Sequence, residues 1–432
     1  MRSRHVFGVL LLAVSLVGVA CTGGDGNGGS NASTTGSQEQ VTLEFWTYEE
    51  GRGNPYHAAL VQAFQAEHPN IDIEFTYFPA ENYSVKLDTA VAAGETPDLV
   101  LAFDLNYLID GLLLPLDDMV AEKGIDLSTY NRGIIEGPGE FSCTWEGKLY
   151  CLASNQGGWG IFYNKDMFDA AGIAYPEPWP PMTVEEFADV ACRLTDEDAG
   201  VWGAAVPSSV LPFELYVSPD GRTAEGYLNG PEAVHQFDVL SGIVRDGCSP
   251  TENAIDPWDE AADFFASGAL AMAVADFDSA KQFEKKGIDY GVTGPPTPPG
   301  VEPFFDVYGD NTAVLASSDN PEEAMEFVAF LATEGQRIAY ETEGSIPIDN
   351  VVAEEVDWAQ GIPGRNDILE VLSNARPPIF IPNKWDAFGP FFDAWGYTVD
   401  GSKTPQEALD DAAAAIQDNL DSEWETWDQQ SE

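Results

Sequence analysis

From Val41 onward the apolar residues switch repeatedly between a period of two and a period near 3.6, which restricts the chain to an α/β architecture. Val41 to Trp46 alternates as a half-buried strand does. Residues 54–67 read as a helix with Leu60, Val61 and Phe64 on one face, and Asn70 to Tyr77 alternates again. A helix over about 81–93 stops at Gly94, a residue type suited to the left-handed turn after a helix. Pro97 to Ala102 is a continuous apolar run, as expected of a strand covered on both faces. The alternation restarts with a strand at Ile161–Tyr163 and a helix over 183–194, where Thr183 and Glu186 have capping-box spacing. Val201 to Val206 predicts a strand, Pro231 opens a helix over 231–246, and Ala269 to Ala275 predicts a buried strand. The run GPPTPPGVEP at 294–303 reads as a stiff connector. Helices over 321–332 and 405–420 follow, capped near Asn320 and Thr404. This is more chain than one core usually holds, so two lobes are expected.

The first forty residues are different. Arg2 and Arg4 precede an apolar run from Val6 to Ala20, the length of a signal-peptide core and short for a membrane span. It ends in Gly18-Val19-Ala20-Cys21, which resembles a bacterial lipobox. Gly18 stands where that motif usually has Leu, and an ordinary secretion signal is the alternative. The resemblance implies lipidation of Cys21 and an extracytoplasmic chain anchored to the cell membrane. Residues 22–40, rich in Gly, Ser and Thr, have the composition of a flexible tether.

The chain carries 73 acidic and 19 basic residues, a formal net charge of −54. Such a surface repels nucleic acid and anionic lipid. The acids are spread along the whole sequence, as in a solvated surface suited to high ionic strength; a cationic ligand is the functional alternative. No G-x-S-x-G, H-E-x-x-H or P-loop pattern occurs, and the four His show no metal-ligand spacing, so neither a catalytic centre, a metal nor a cofactor is expected. Beyond Cys21 four cysteines remain. Cys143 and Cys151 enclose two short strands around a loop read as Glu146-Gly147-Lys148, which places them directly opposite each other and predicts their pairing. Elimination pairs Cys192 with Cys248.

Several segments in order carry a family resemblance. They include LEFWTY at 43–48, AFQAEHPNIDIEF at 63–75, TPDLVLA at 96–102, GKLYCLASN at 147–155, GIFYNKDMFDAAGI at 160–173, FFASGALAMAVADF at 264–277, NPEEAMEFVAFLATEGQ at 320–336 and GSIPI at 344–348. Together they resemble the extracellular solute-binding proteins of sugar ABC importers, the family that includes maltose-binding proteins. The resemblance implies a two-lobed α/β fold of the periplasmic-binding-protein type, with a ligand cleft between lobes that close about several hinge crossings. It implies lobe 1 as 41–153 plus 308–355 and lobe 2 as 154–307 plus 356–432. Crossings are expected near Leu152–Gly157, near Pro303–Asp310 and in the 350s. The chain is expected to act as a monomer that captures a mono- or oligosaccharide and delivers it to membrane permease subunits. A receptor for a cationic or other non-sugar solute, or a secreted polysaccharide-acting enzyme, remains an alternative.

A sugar binder needs flat aromatic faces and short polar acceptors. Loops at strand C-termini are favoured places, which selects Glu49 and Glu50 after the first strand. The resemblance adds Asp104 after the 96–102 strand, and Asn155 and Trp159 at the first crossing. It also adds Phe277 with Asp276 and Asp278 after the Ala269–Ala275 strand, Gly309, Asp310 and Asn311 at the second crossing, and Trp385 with Arg376 upstream. Asp98 reads as structural, and Trp202, Trp395, Trp424 and Trp427 as packing residues.

Overall fold

A computed structural model describes residues 40–48, 53–101, 106–136, 143–206, 213–251, 254, 260–305, 307–377 and 379–431. The expected signal segment, Cys21 and the tether lie outside the described residues. The strands are β1 Val41–Tyr48, β2 Ile71–Phe78, β3 Leu99–Leu101, β4 Thr144–Trp145, β5 Lys148–Leu149 and β6 Cys151–Leu152. They continue with β7 Gly157–Asn164, β8 Trp202–Ala204, β9 Leu270–Asp276, β10 Tyr290–Thr293, β11 Val307–Tyr308 and β12 Thr312–Val314.

The first sheet has the order β2-β1-β3-β12-β6. β1 runs parallel to β2 and β3, with Val41 opposite Ile71 and Phe45 opposite Leu99, while β12 closes antiparallel on β3 and β6. The alternation in β1 does its expected work: Leu43, Phe45 and Thr47 point into the core while Thr42 and Glu44 face solvent. Helices Pro55–Glu67 and Pro321–Ala332 cover this sheet, with Phe64 set edge-on to Phe327 at 5.0 Å. Asp98 is structural: its Oδ2 accepts from Glu44 N at 2.9 Å and its Oδ1 from Ser318 Oγ at 2.5 Å, tying the entry of β3 to its neighbours.

The second sheet has the order β10-β7-β9-β8, with β11 also paired to β7. Helix Pro363–Ser373 packs against β10 and helix Ala261–Ser267 against β9, while helices Val184–Leu194, Pro231–Arg245, Gly389–Val399 and Pro405–Ser431 build the other large apolar cluster of this half. The local signals hold. Gly94 takes φ 72° after its helix, Thr183 and Glu186 form a complete capping box, and Pro231 opens its helix. The last helix runs past the expected 420 to Ser431, because Leu420, Trp424 and Trp427 prolong its apolar stripe onto that cluster. β7 begins four residues before the expected Ile161, since Gly157 and Gly158 pair with Tyr308 and Val307 of β11.

Both disulfides form as expected, Cys143–Cys151 and Cys192–Cys248. The hairpin register differs from the expectation. Thr144 pairs with Leu149 and Trp145 with Lys148, so the loop has two residues, Glu146 and Gly147, both with positive φ (49° and 75°). That loop length suits the twist of paired strands. Cys143 therefore faces Tyr150, whose N–H it accepts at 2.8 Å, and its disulfide reaches one position further to Cys151 in the first sheet.

The chain leaves the first sheet after Leu152 and enters the second at Gly157. It returns between Tyr308 and Thr312, and passes over again between the Tyr130–Asp349 bridge and helix Pro363–Ser373. Among the described residues no helix is long and apolar enough to cross a membrane.

Candidate functional site

The first two passages lie side by side. Asn155 Nδ2 donates to Asp310 Oδ2 at 2.6 Å, and Asp310 N donates to Asn155 Oδ1 at 3.0 Å. Glycine permits the approach: a Cβ on Gly309 would stand 2.9 Å from Ala153 Cβ and from Asn155 O. At Gly157 an added Cβ would stand 2.5 Å from Cε2 and Oη of Tyr308, so that ring lies directly on the Gly157 backbone.

Tyr308 gathers the rest. Its Oη donates to Asp276 Oδ2, and its ring sits 5.1 Å from that of Trp159, tilted by 54°. Trp159 is the register partner of Asp276 across β7 and β9, which brings the indole and the carboxylate to one end of the sheet. Asp276 Oδ1 accepts from Asp278 N at 2.7 Å, and Asp278 pairs with Lys281 at 3.0 Å. On the other side of the crossing, Tyr56 Oη donates to Ser154 Oγ at 2.8 Å.

The electrostatics follow from crowding and like charge. Asp310 keeps a solvent-facing surface, but protein surrounds its remaining sides; desolvation raises its pKa, and Glu343 and Asp278 add to that against the Asn155 hydrogen bond. Desolvation also raises Asp276, opposed by the hydrogen bonds from Tyr308 and Asp278 N. Burial pushes the Tyr56 and Tyr308 hydroxyls well above the usual phenol range, so both stay neutral donors. The result is a site with aromatic faces, phenol and amide donors and several carboxylate acceptors, with Lys281 as the basic group among these contacts. It suits a hydroxyl-rich neutral ligand or a cation, and disfavours an anion.

The structure thus brings together Asn155, Trp159, Asp276, Asp278, Gly309 and Asp310 from distant parts of the sequence. Asn311 is buried at 6% exposure and frames the crossing from within. Phe277 is a correction: at 1% exposure it presents no face to a ligand, because it packs against Gly160 and Phe162. Arg376 is engaged elsewhere, over the Phe304 ring at 5.1 Å and beside Glu302 at 3.6 Å. Glu49, Glu50 and Asp104 lie outside the described residues, as does the side chain of Trp385, whose backbone belongs to helix Lys384–Ala387. Sequence reasoning missed Tyr56, Ser154, Tyr308 and Glu343. The pair Gly157-Gly158 was a usable signal for Tyr308, since paired glycines in a strand mark a close approach. Among the described residues no group of three or more His, Cys, Asp or Glu could hold a metal ion.

The chain is similar to known proteins in sequence and in fold. The sequence pattern of the family described as bacterial extracellular solute-binding protein matches residues 47–338. A putative binding protein of Brucella abortus is 23% identical over 390 residues, covering 81% of this chain and 90% of that protein. The sn-glycerol-3-phosphate-binding periplasmic protein UgpB of the same organism is 24% identical over 430 residues, covering 89% of this chain and 94% of UgpB. Among solved structures, the sugar-binding protein MalE of Xanthomonas citri superposes with a TM-score of 0.73 at 18% identity, covering 90% of this chain and 99% of that one. That likeness shows the fold, which is α/β and two-lobed, of the periplasmic-binding-protein type.

Proposed function

Because the chain belongs to the family of bacterial extracellular solute-binding proteins, we propose that it captures a mono- or oligosaccharide outside the cytoplasm and hands it to the permease of an ABC importer. The lobes in this reading are 41–153 plus 308–355 and 154–307 plus 356–432, closing about the paired crossings. Cys21 carries the lipid that holds the protein at the membrane. The observation that carries the ligand class is the Trp159–Tyr308 ring pair set beside Asp276, Asp310 and Asn155. Ring faces bury the apolar side of a sugar while carboxylates and amides accept and orient its hydroxyls. Glu49, Glu50, Asp104 and Trp385 complete the contacts, on the strength of their places in the chain.

UgpB is named for a phosphate ester, but the carboxylates gathered here oppose an anionic ligand. The same carboxylates favour a cationic solute as the second reading. Calorimetric titration with oligosaccharides, glycerol 3-phosphate and a polyamine separates the three. Sugar binding is expected, with the sugar recovered intact, and Trp159→Ala should weaken it about thirtyfold, the ~2 kcal/mol typical of a large aromatic anchor. Binding of glycerol 3-phosphate alone, or cleavage of the oligosaccharide, would overturn the reading.

A further inference from the structure

The hairpin of β4 and β5 is rooted in the body of the first sheet. Its base is tied by the Cys143–Cys151 disulfide, and Cys151 pairs with Ala313 in that sheet. Leu149 O accepts from Leu116 N at 2.7 Å, Leu149 N donates to Asp117 Oδ2 at 3.2 Å, and Thr144 Oγ1 donates to Ile135 O at 2.5 Å. The tight two-residue turn leaves it little freedom. Its aromatic residue also reaches beyond this half. The Trp145 ring stands 5.5 Å from Phe380 and 5.5 Å from Trp427, both nearly perpendicular at 73° and 76°.

Phe380 and Trp427 belong to the cluster built on the second sheet and the last helix. Phe380 also meets Trp424 edge-on at 5.4 Å. Trp424 is fixed in turn: its Nε1 donates to Gly221 O at 2.9 Å, and the Arg222 guanidinium lies 3.8 Å over its ring. Trp145 therefore docks a braced finger of one half onto a braced aromatic nest of the other. Trp145 also packs against the apolar cluster that contains Leu149 of its own hairpin and Cys151 of the first sheet, so one ring touches both its own half and the other.

We propose that this hairpin is a latch between the lobes: the Trp145 ring holds the lobe arrangement seen here, and so sets ligand affinity from a position off the crossings. The proposal rests on the capture reading for its effect on affinity, but not for its effect on shape. Edge-to-face ring contacts are short-ranged, so lobe rotation that carries the hairpin off the nest forfeits them. A side chain that favours one of two arrangements changes apparent affinity by changing the population able to bind.

The experiment uses the full mature chain as parent, Trp145→Ala, Trp145→Phe and Phe380→Leu. Small-angle scattering without ligand reads the lobe arrangement, and calorimetry with the sugar found for the parent reads affinity. Trp145→Ala should change the radius of gyration and shift Kd by about tenfold, the scale of losing two ring pairs. Trp145→Phe should stay close to the parent. Phe380→Leu removes one of the two ring pairs from the other lobe and should shift both readouts in the same direction as Trp145→Ala by a smaller amount, which keeps the test available if one variant folds poorly. A folded Trp145→Ala with parental radius of gyration and parental Kd overturns the latch. If the parent binds none of the sugars, the capture reading falls, and the scattering comparison still decides the latch.

Discussion

Alanine at Gly157 should be destabilising, against the ordinary rule for strands. Replacing a strand glycine by alanine normally gains about 0.5–1 kcal/mol, because glycine loses more backbone entropy on folding. Here the new Cβ would lie 2.5 Å from Cε2 and Oη of Tyr308. The ring has no easy retreat, since its hydroxyl is bonded to Asp276 and Trp159 stands 5.1 Å away. Overpacking of this kind costs about 1–3 kcal/mol. Losing the hydrogen bond to the carboxylate costs about 1.5–3 kcal/mol more. After the entropic gain, Gly157→Ala should lose about 2–5 kcal/mol. Gly396 is the control: it is exposed inside helix Gly389–Val399 with nothing within 4 Å of an added Cβ, so Gly396→Ala should gain about 1 kcal/mol. Urea unfolding followed by tryptophan fluorescence measures both. Removing the ring with Tyr308→Ala should return Gly157→Ala to a neutral or stabilising change. An unfolding midpoint for Gly157→Ala at or above the parent's would refute the placement of Tyr308 on this glycine.

The two disulfides should differ in worth. They close segments of sequence separation 8 and 56, so the chain-entropy relation assigns roughly 2.5 kcal/mol to Cys143–Cys151 and about 4 kcal/mol to Cys192–Cys248. Paired Cys→Ala variants in urea should follow that order, and the reverse order would contradict it. The pH dependence has a definite sign. Asp310 and Asp276 have raised pKa values, so the folded state binds their protons more tightly than the unfolded state does. Their contribution therefore weakens as pH rises from the ordinary carboxylate value, about 3.9, through the raised values, and is constant above them. Relative to the parent, Asp310→Asn should become more favourable as pH rises above the ordinary carboxylate value and through the raised one. A stability difference between the two that is flat with pH would exclude a strained carboxylate at the crossing.

Much of the fold was legible because it rests on local pattern. The period-two run in β1 places Leu43 and Phe45 inward whatever lies beyond them, and the Thr183–Glu186 spacing closes a capping box within one helical turn. The hairpin cysteines were legible for the same reason, although the turn was read one residue too long. That residue shifts the register, so Cys143 faces Tyr150 and the disulfide still reaches Cys151. Phe277 shows the limit. An aromatic after a strand looks the same in sequence whether it faces a cleft or a core, and the side is decided by Gly160 and Phe162 across the sheet.

The sequence by itself determined the α/β class and the Cys143–Cys151 pair, since each depends on residues close together in the chain, and elimination then left Cys192 for Cys248. Only the tertiary structure decided that Asn155 clasps Asp310 across a separation of 155 residues, that Tyr308 lies on Gly157, and that Trp145 reaches Phe380 and Trp427. Periodicity reports which face of an element is buried but not which distant element covers it. That is set by how the crossings align the two halves, and glycine gaps and ring contacts then select one alignment by steric fit.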